Sequence, residues 1–404
     1  MTKDEKILDV TQDVSWIGVL DEDLVTFDVV METEYGSTYN SYFIDAEKKA
    51  IVETTKEKFW DIYERKIRQV VNLEEIEYVI LNHTEPDHSG NLKNLLEIAP
   101  HAKVVASPNA IRYLKDLFKD SDFEYMPVKD GDHLDLGNKT IRFIGAPNLH
   151  WPDTIYSYLE EDKVLFTCDS FGAHYADENM FDDLVDEEKY DDAFRYYFNV
   201  ILRPFSKFML KAIDKIDDLD IDVICNGHGP ILRSNWKKYV ELSRTWARGF
   251  LKQPEKQRVF IPYVSAYDKT GKLAEKIAEG IESSGEIEAV PMDIEMVSLG
   301  DLESEITQAT GIIVGSPTIN QNILLPVYKL FGILTPLRDK SKLTGGFGSY
   351  GWSGEGAKLI KNALTSLKMK YFEDGVFVKF TPDGQELQKS YDYGKAFAKE
   401  LLAN

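Results

Sequence analysis

Leu81-Asn82-His83-Thr84-Glu85-Pro86-Asp87-His88-Ser89-Gly90 follows a strand-forming run, Glu77 to Leu81, and precedes the helical pattern Leu92 to Ile98. Four side chains able to bind a metal, His83, Glu85, Asp87 and His88, fall within six residues. A continuous helix would spread them around its circumference. An extended turn with alternating side chains, broken by Pro86, can instead aim them at one or two adjacent coordination spheres. Three more candidates also end strands: His150 in Asn148-Leu149-His150-Trp151-Pro152-Asp153, Asp169 after Val164 to Cys168, and His228 in Asn226-Gly227-His228-Gly229-Pro230 after Ile221 to Cys225. If these strands belong to one layered domain, their loops share an edge and seven ligands meet, four imidazoles and three carboxylates. That inventory suits two metals with one bridging carboxylate, and Asp169, alone on its strand end, is the natural bridge. A lone histidine is more often a hydrogen-bonded core or surface residue. The clustering favours the metal here, and His101 and His133, which have no such company, read as structural.

The absence of a thiolate among these ligands and the three carboxylates favour iron or manganese over a structural zinc pair, although zinc stays open on residue types alone. The chain's two cysteines, Cys168 and Cys225, cannot build a disulfide scaffold, a four-thiolate zinc site or a rubredoxin-type centre. They precede Asp169 and His228 on their strands, where they can be buried small hydrophobes or tune the site from behind. Length and charge set the frame: 404 residues suit two domains, and 47 Lys and Arg against 69 Asp and Glu leave a net charge of −22. With a pI near 4.8, nucleic acid and anionic membranes are excluded as partners. The amino terminus lacks a signal pattern and no apolar run approaches the roughly 18 residues of a span, so a soluble cytoplasmic protein is expected. Asp177 to Asp192 carries nine acidic residues and one basic one, Lys189, and reads as a solvated helix or loop.

A boundary falls near Phe250 to Arg258, giving expected domains of residues 1–252 and 256–404. Beyond it, Leu273, Ile277 and Ile281 recur at helical spacing after the strand Val259 to Val264. Gly311 to Val314 and Gly345 to Phe347 read as further buried strands, so a doubly wound parallel sheet is expected. Three strand-end loops supply its candidate ligand site. Ser265, Tyr267, Asp268, Lys269 and Thr270 lie at a helix amino terminus, where hydroxyls and N–H groups can cradle a phosphate, although the same turn could simply cap the helix. Ser316, Pro317, Thr318, Ile319 and Asn320 form the second loop; Ser349, Tyr350, Gly351, Trp352 and Gly354 belong to the third. Glycine-lined turns with Tyr350 and Trp352 suit a planar ring, and one phosphate plus such a ring points to FMN.

Taken together, His83-x-Glu85-x-Asp87-His88, Leu149-His150-Trp151-Pro152-Asp153, Asp169-Ser170-Phe171-Gly172, Gly227-His228-Gly229, Gly315-Ser316-Pro317-Thr318 and Phe347-Gly348-Ser349-Tyr350-Gly351-Trp352-Ser353-Gly354 closely resemble the motifs of flavodiiron proteins, the A-type flavoproteins, in order and over essentially the whole chain. The resemblance implies a metallo-β-lactamase-like αββα sandwich with a non-haem diiron site, followed by a flavodoxin-like FMN domain. It assigns His83, Glu85 and His150 to one iron and Asp87, His88 and His228 to the other, with Asp169 bridging; in some members the match to His88 is not a ligand. Glu85 stands where hydrolases of that fold usually have histidine. It further implies reduction of dioxygen to water or nitric oxide to nitrous oxide, and a head-to-tail homodimer or dimer of dimers that sets the irons of one chain against the FMN of the other. With no fused donor in the sequence, electrons are expected from a rubredoxin-like protein or a reduced deazaflavin. His174 and Tyr197 match pocket positions of the family. Two departures stand out: Asp268 and Lys269 in the phosphate loop, and Thr26-Phe27-Asp28 where many relatives carry a histidine. The rival readings are a dinuclear zinc hydrolase fused to a flavodoxin-like module and a carrier that uses FMN alone.

Overall fold

The computed structural model describes residues 6–27, 31–119, 121–252 and 256–403. Two compact units divide the chain, Met1–Lys252 and Gln253–Asn404.

In the first unit, a seven-stranded sheet runs in the order Leu8–Asp9, Val14–Trp16, Tyr42–Ile44, Lys49–Val52, Ile76–Leu81, Lys103–Ala106, Tyr125–Pro127. A five-stranded sheet runs His133–Asp135, Thr140–Gly145, Ile155–Leu159, Val164–Cys168, Val223–Asn226. Alternation along each strand dictates the layers. Ile80, Val105, Phe166 and Cys225 join one buried cluster between the sheets. Their neighbours face the other way: Val79, Leu81 and Val104 pack under the helices Trp60–Val70, Leu92–Ile98 and Pro108–Leu117. Leu165 and Ile224 pack under Glu187–Tyr197, Ser206–Ile216 and Trp236–Leu251. The result is helix, sheet, sheet, helix. Val164–Cys168 and Val223–Asn226 pair in parallel, so Asp169 and His228 leave the same edge.

The acidic stretch is only partly solvated. Asp182 is buried, and its carboxylate accepts N–H bonds from Arg233 (2.9 Å), Ser234 (3.1 Å) and Asn235 (2.5 Å). A carboxylate that satisfies three backbone donors stabilises a turn, which overrides the tendency of an acidic run to stay in water.

The second unit is a parallel sheet in the order Ile287–Asp293, Gln257–Tyr263, Gly311–Gly315, Leu343–Tyr350, Lys370–Tyr371, with Val376–Lys379 also pairing with Leu343–Tyr350. The order reverses beside Gln257–Tyr263, creating a crevice at the strands' carboxyl ends. Buried clusters cover both faces. Among the described residues, no helix is long and apolar enough to cross a membrane.

The helices Lys269–Glu282 and Gly384–Ala403 approach at two glycines. A Cβ on Gly394 would lie 2.1 Å from the Ile277 carbonyl, and one on Gly280 would lie 2.0 Å from that of Tyr391. Gly394→Val is therefore expected to destabilise this unit by about 1–3 kcal/mol, the usual cost of overpacking. Denaturant unfolding checks it; an unmoved midpoint would show that the helices separate without cost.

Candidate functional site

Three carboxylates and four histidines converge at the shared edge of the two sheets. Asp169 sits between two groups. Its Oδ2 is 3.5 Å from His83 Nε2 and 3.6 Å from His150 Nε2. Its Oδ1 is 3.1 Å from His88 Nε2 and 3.4 Å from His228 Nε2. Glu85 Oε2 completes the first group, 3.3 Å from His83 Nε2 and 2.9 Å from His150 Nε2. Asp87 completes the second, 3.2 Å from His228 Nε2 and 3.7 Å from His88 Nε2. In each group, one ligand atom per residue lies within 4.8 Å of all the others.

The local backbone departs from the expected extended turn. Pro86 opens a short helix, Pro86–Ser89, so Asp87 and His88 lie on a helical turn while Glu85 keeps an extended conformation. Proline suits a first helical position because its missing N–H would have no partner there anyway. The break after Glu85 sends Glu85 to one group and Asp87 with His88 to the other.

Buried carboxylates need compensation. Both oxygens of Asp87 and Oδ2 of Asp169 are buried without a hydrogen-bond partner, although imidazole nitrogens stand at ion-pair distance. Burial would raise Asp169, but His88 and His228 hold it well below the usual carboxylate range. Conversely, burial would lower His228, and Asp169 and Asp87 bring it up to about 10. The pocket demands positive charge. Divalent cations fit that demand and the oxygen and nitrogen donors that carry it.

Outer partners fix the rings. Asp153 Oδ2 lies 3.2 Å from His83 Nδ1 and accepts from the Thr84 N–H (2.9 Å) and hydroxyl (2.7 Å). The Thr38 carbonyl lies 2.6 Å from His228 Nδ1, and because a carbonyl only accepts, that nitrogen carries a proton and Nε2 turns inward. Ser37 Oγ is 2.7 Å from His174 Nδ1. Sequence reading missed Ser37 and Thr38, which look like ordinary strand residues. It also missed Glu53, whose only signal is an acid at the end of the apolar run Ala50-Ile51-Val52.

His174 and Tyr197 both reach the site. The Tyr197 hydroxyl donates to Asp169 Oδ1 at 3.2 Å. The His174 ring stands 4.9 Å from that of Tyr197 and 5.1 Å from that of His228, and its buried Nε2 has no partner. Burial pushes His174 well below the usual histidine range. Phe27 lies against the ring of His174 at 4.3 Å; Asp28 lies outside the described residues. Cys168 is beside His88, Sγ 3.7 Å from Nδ1, whereas Cys225 belongs to the core between the sheets. His133 is half-exposed on its strand and His101 is exposed in a turn, both apart from the metal-ligand groupings found among the described residues.

In the second unit the three expected loops are knitted through Ser349. Its Oγ is 3.1 Å from Thr270 Oγ1, and its carbonyl accepts the Thr318 N–H at 2.8 Å. Ser265 Oγ accepts the Gly271 N–H at 3.1 Å, capping the helix. Ser316 is turned inward, donating to the Pro317 carbonyl (2.9 Å) and accepting from Leu324 N–H (3.2 Å), so its hydroxyl shapes the loop. Thr318 Oγ1 accepts the Gly356 N–H at 3.2 Å. Ile319 pairs with Asn322 across a turn in which Asn320 has φ +52°. Asp268 has φ +58° and an exposed side chain near Lys272, so the acid can avoid a phosphate, and Lys269 begins the helix. Tyr267 and Trp352 are 80% and 81% exposed, far beyond what core aromatics show, while Tyr350 is half-buried beside Gly351 and Gly354. Trp352 is not a core residue. Uncovered aromatics beside backbone donors fit a flat heteroaromatic ligand.

Fold and site together define a metallo-β-lactamase-type domain followed by a flavodoxin domain. The family model "ODP family beta lactamase" matches residues 38–229 and "Flavodoxin" matches 261–394. The chain is 38% identical to the flavo-diiron protein FprA2 of Clostridium acetobutylicum over 95% of its own length and 97% of that protein. It is 34% identical to a nitric oxide reductase of Moorella thermoacetica, covering 97% of this chain and 98% of that one. Among solved structures, rubredoxin oxygen:oxidoreductase from Desulfovibrio gigas superposes with a TM-score of 0.78 at 28% identity, covering 98% of this chain and 99% of that one. The chain belongs to the flavo-diiron protein, or type A flavoprotein, family.

Asp169→Ala removes the carboxylate common to both groups. The purified variant is expected to lose most of its bound metal while keeping its flavin, as measured by elemental analysis and flavin absorbance. Retention of two metals per chain would sink the bridging role.

Proposed function

We propose that this chain is an oxidoreductase that reduces dioxygen to water, nitric oxide to nitrous oxide, or both, at two non-haem irons per chain supplied with electrons by FMN. The position of Asp169, with one oxygen toward His83 and His150 and the other toward His88 and His228, carries this reading. On it, His83, Glu85 and His150 ligate one iron, Asp87, His88 and His228 the other, and Asp169 bridges. The functional units are residues 1–252 and 256–404. Similarity to proteins named nitric oxide reductase and rubredoxin oxygen:oxidoreductase supports both gases as substrates. When bound, the pair of ferrous irons would supply two electrons between them and reduced FMN two more, enough to take dioxygen to water without releasing partly reduced oxygen.

The protein's own groups do the rest. Burial and neighbouring carboxylates raise Tyr197 well above the usual phenol range, so it keeps its proton and donates to Asp169. His174, held neutral by burial, offers Nε2 as a hydrogen-bonding atom to a small molecule entering beside His228. Phe27 packs against the His174 ring and fixes its position. Glu85 and His150, with 12% and 20% of their side chains exposed, are the most open of the ligand set. That edge suits approach by the flavin of a second copy, hence a head-to-tail homodimer or dimer of dimers. An external donor, a rubredoxin-like protein or a reduced deazaflavin, would reload the FMN, and the cytoplasm is the natural setting. Tyr267, Tyr350 and Trp352 would receive the ring, and the Ser265–Thr270 loop the phosphate.

Anaerobic stopped-flow of the prereduced protein, mixed separately with O2 and NO and assayed for metal and flavin, tests this reading. Rapid reoxidation by at least one gas with two irons and one FMN per chain is expected. Bound zinc, slow flavin oxidation by both gases and hydrolysis of an ester or lactam would overturn it. Trp352→Ala is expected to weaken FMN binding roughly tenfold, the scale of one aromatic stacking contact, with metal content unchanged; an unaltered FMN affinity would rule out stacking.

A further inference from the structure

Glu53 is a buried carboxylate outside the seven-residue ligand set. It follows the strand Lys49–Val52 with φ +59°, a conformation that costs a non-glycine residue energy and persists where the surroundings enforce it. Those surroundings are specific. Its N–H donates to the Ile80 carbonyl (2.8 Å), and its carbonyl accepts from the Ser41 (2.8 Å) and Tyr63 (3.3 Å) hydroxyls. Oε1 accepts the Asn82 N–H at 2.6 Å. Oε2 has no hydrogen-bond partner and lies 3.7 Å from His88 Nδ1, on the side of the ring opposite the Nε2 that faces Asp169. The His88 carbonyl is itself clamped by the Thr54 N–H (2.8 Å) and hydroxyl (2.6 Å), one residue along from Glu53.

The same device orients two neighbouring histidines, with Asp153 behind His83 and the Thr38 carbonyl behind His228. Resting on the two-iron reading above, we infer that Glu53 is the positioning residue for His88: its free oxygen accepts a hydrogen bond from Nδ1–H and so holds Nε2 toward the second iron. At 3.7 Å the contact is an ion-pair distance that a small rotation of the imidazole closes to a hydrogen bond. Cys168, equally near Nδ1, is the rival partner. Its thiol is a weak acceptor. A carboxylate is the stronger acceptor for an imidazole N–H, and losing such an outer partner typically weakens metal affinity about 10- to 100-fold.

The test uses full-length Glu53→Leu, Glu53→Gln and Cys168→Ala, reconstituted anaerobically with ferrous iron and titrated with a ferrous chelator, with Mössbauer spectra of each loaded protein. Both Glu53 variants are expected to release one iron about 10- to 100-fold more readily than the parent and to alter the spectrum of that iron alone, the other staying unchanged. Cys168→Ala is expected to match the parent. If Glu53→Leu fails to fold, Glu53→Gln decides, since it preserves shape. A folded Glu53 variant with parental affinity and spectrum would overturn the inference. So would loss of iron in Cys168→Ala without loss in the Glu53 variants, or a third metal in the parent, which would make Glu53 a ligand. A parent that binds fewer than two irons would instead defeat the proposed function.

Discussion

One buried carboxylate, Asp169, must face two groups of side chains at once, and the first unit is organised around that requirement. An isolated ionised carboxylate in a protein interior is costly, and three within one pocket cost more than any hydrophobic contact nearby returns. The pocket is tolerable because four imidazoles ring the acids and the remaining lone pairs await cations. Two sheets meeting at an edge are what allow ligands from distant parts of the chain to reach that point. His83 and its neighbours leave one sheet, while Asp169 and His228 leave adjacent parallel strands of the other.

Much of this was legible in the sequence because chemistry-bearing residues clustered where strands stop. Histidine and acid in alternation around Pro86 is too dense to be surface decoration, and Asp169 and His228 each follow an apolar run. The misreading at Pro86 has a plain cause: proline both breaks a strand and begins a helix, and residue type alone does not choose between them. The strand-end loops of the second unit were legible for a different reason, since glycines and hydroxyls at successive strand ends mark the open end of a parallel sheet. The direction of the Asp268 side chain was not legible, because it depends on a left-handed backbone.

What stayed hidden were partners whose role depends on tertiary proximity. Ser37, Thr38 and Glu53 sit far from the ligands in sequence, and their types are common at strand ends. The buried Asp182 was hidden among surface acids for the same reason. A contact made through a backbone carbonyl, as Thr38 makes with His228, is not encoded by residue type.

The contacts at Thr38 and Thr54 have a thermodynamic side. His228 is tied to the strand at Ser37–Tyr39 and His88 to Thr54, so metal ions gripped by these histidines would cross-link segments from the beginning, middle and end of the first unit. Closing such long loops removes conformational freedom from the unfolded chain, and any ion bound only by the folded form adds stability by mass action. The first unit's resistance to unfolding should therefore rise and fall with iron supply, while the second, with a separate core and no share in those ligands, answers to flavin instead. Iron starvation would then act on this protein as a folding stress confined to half of the chain.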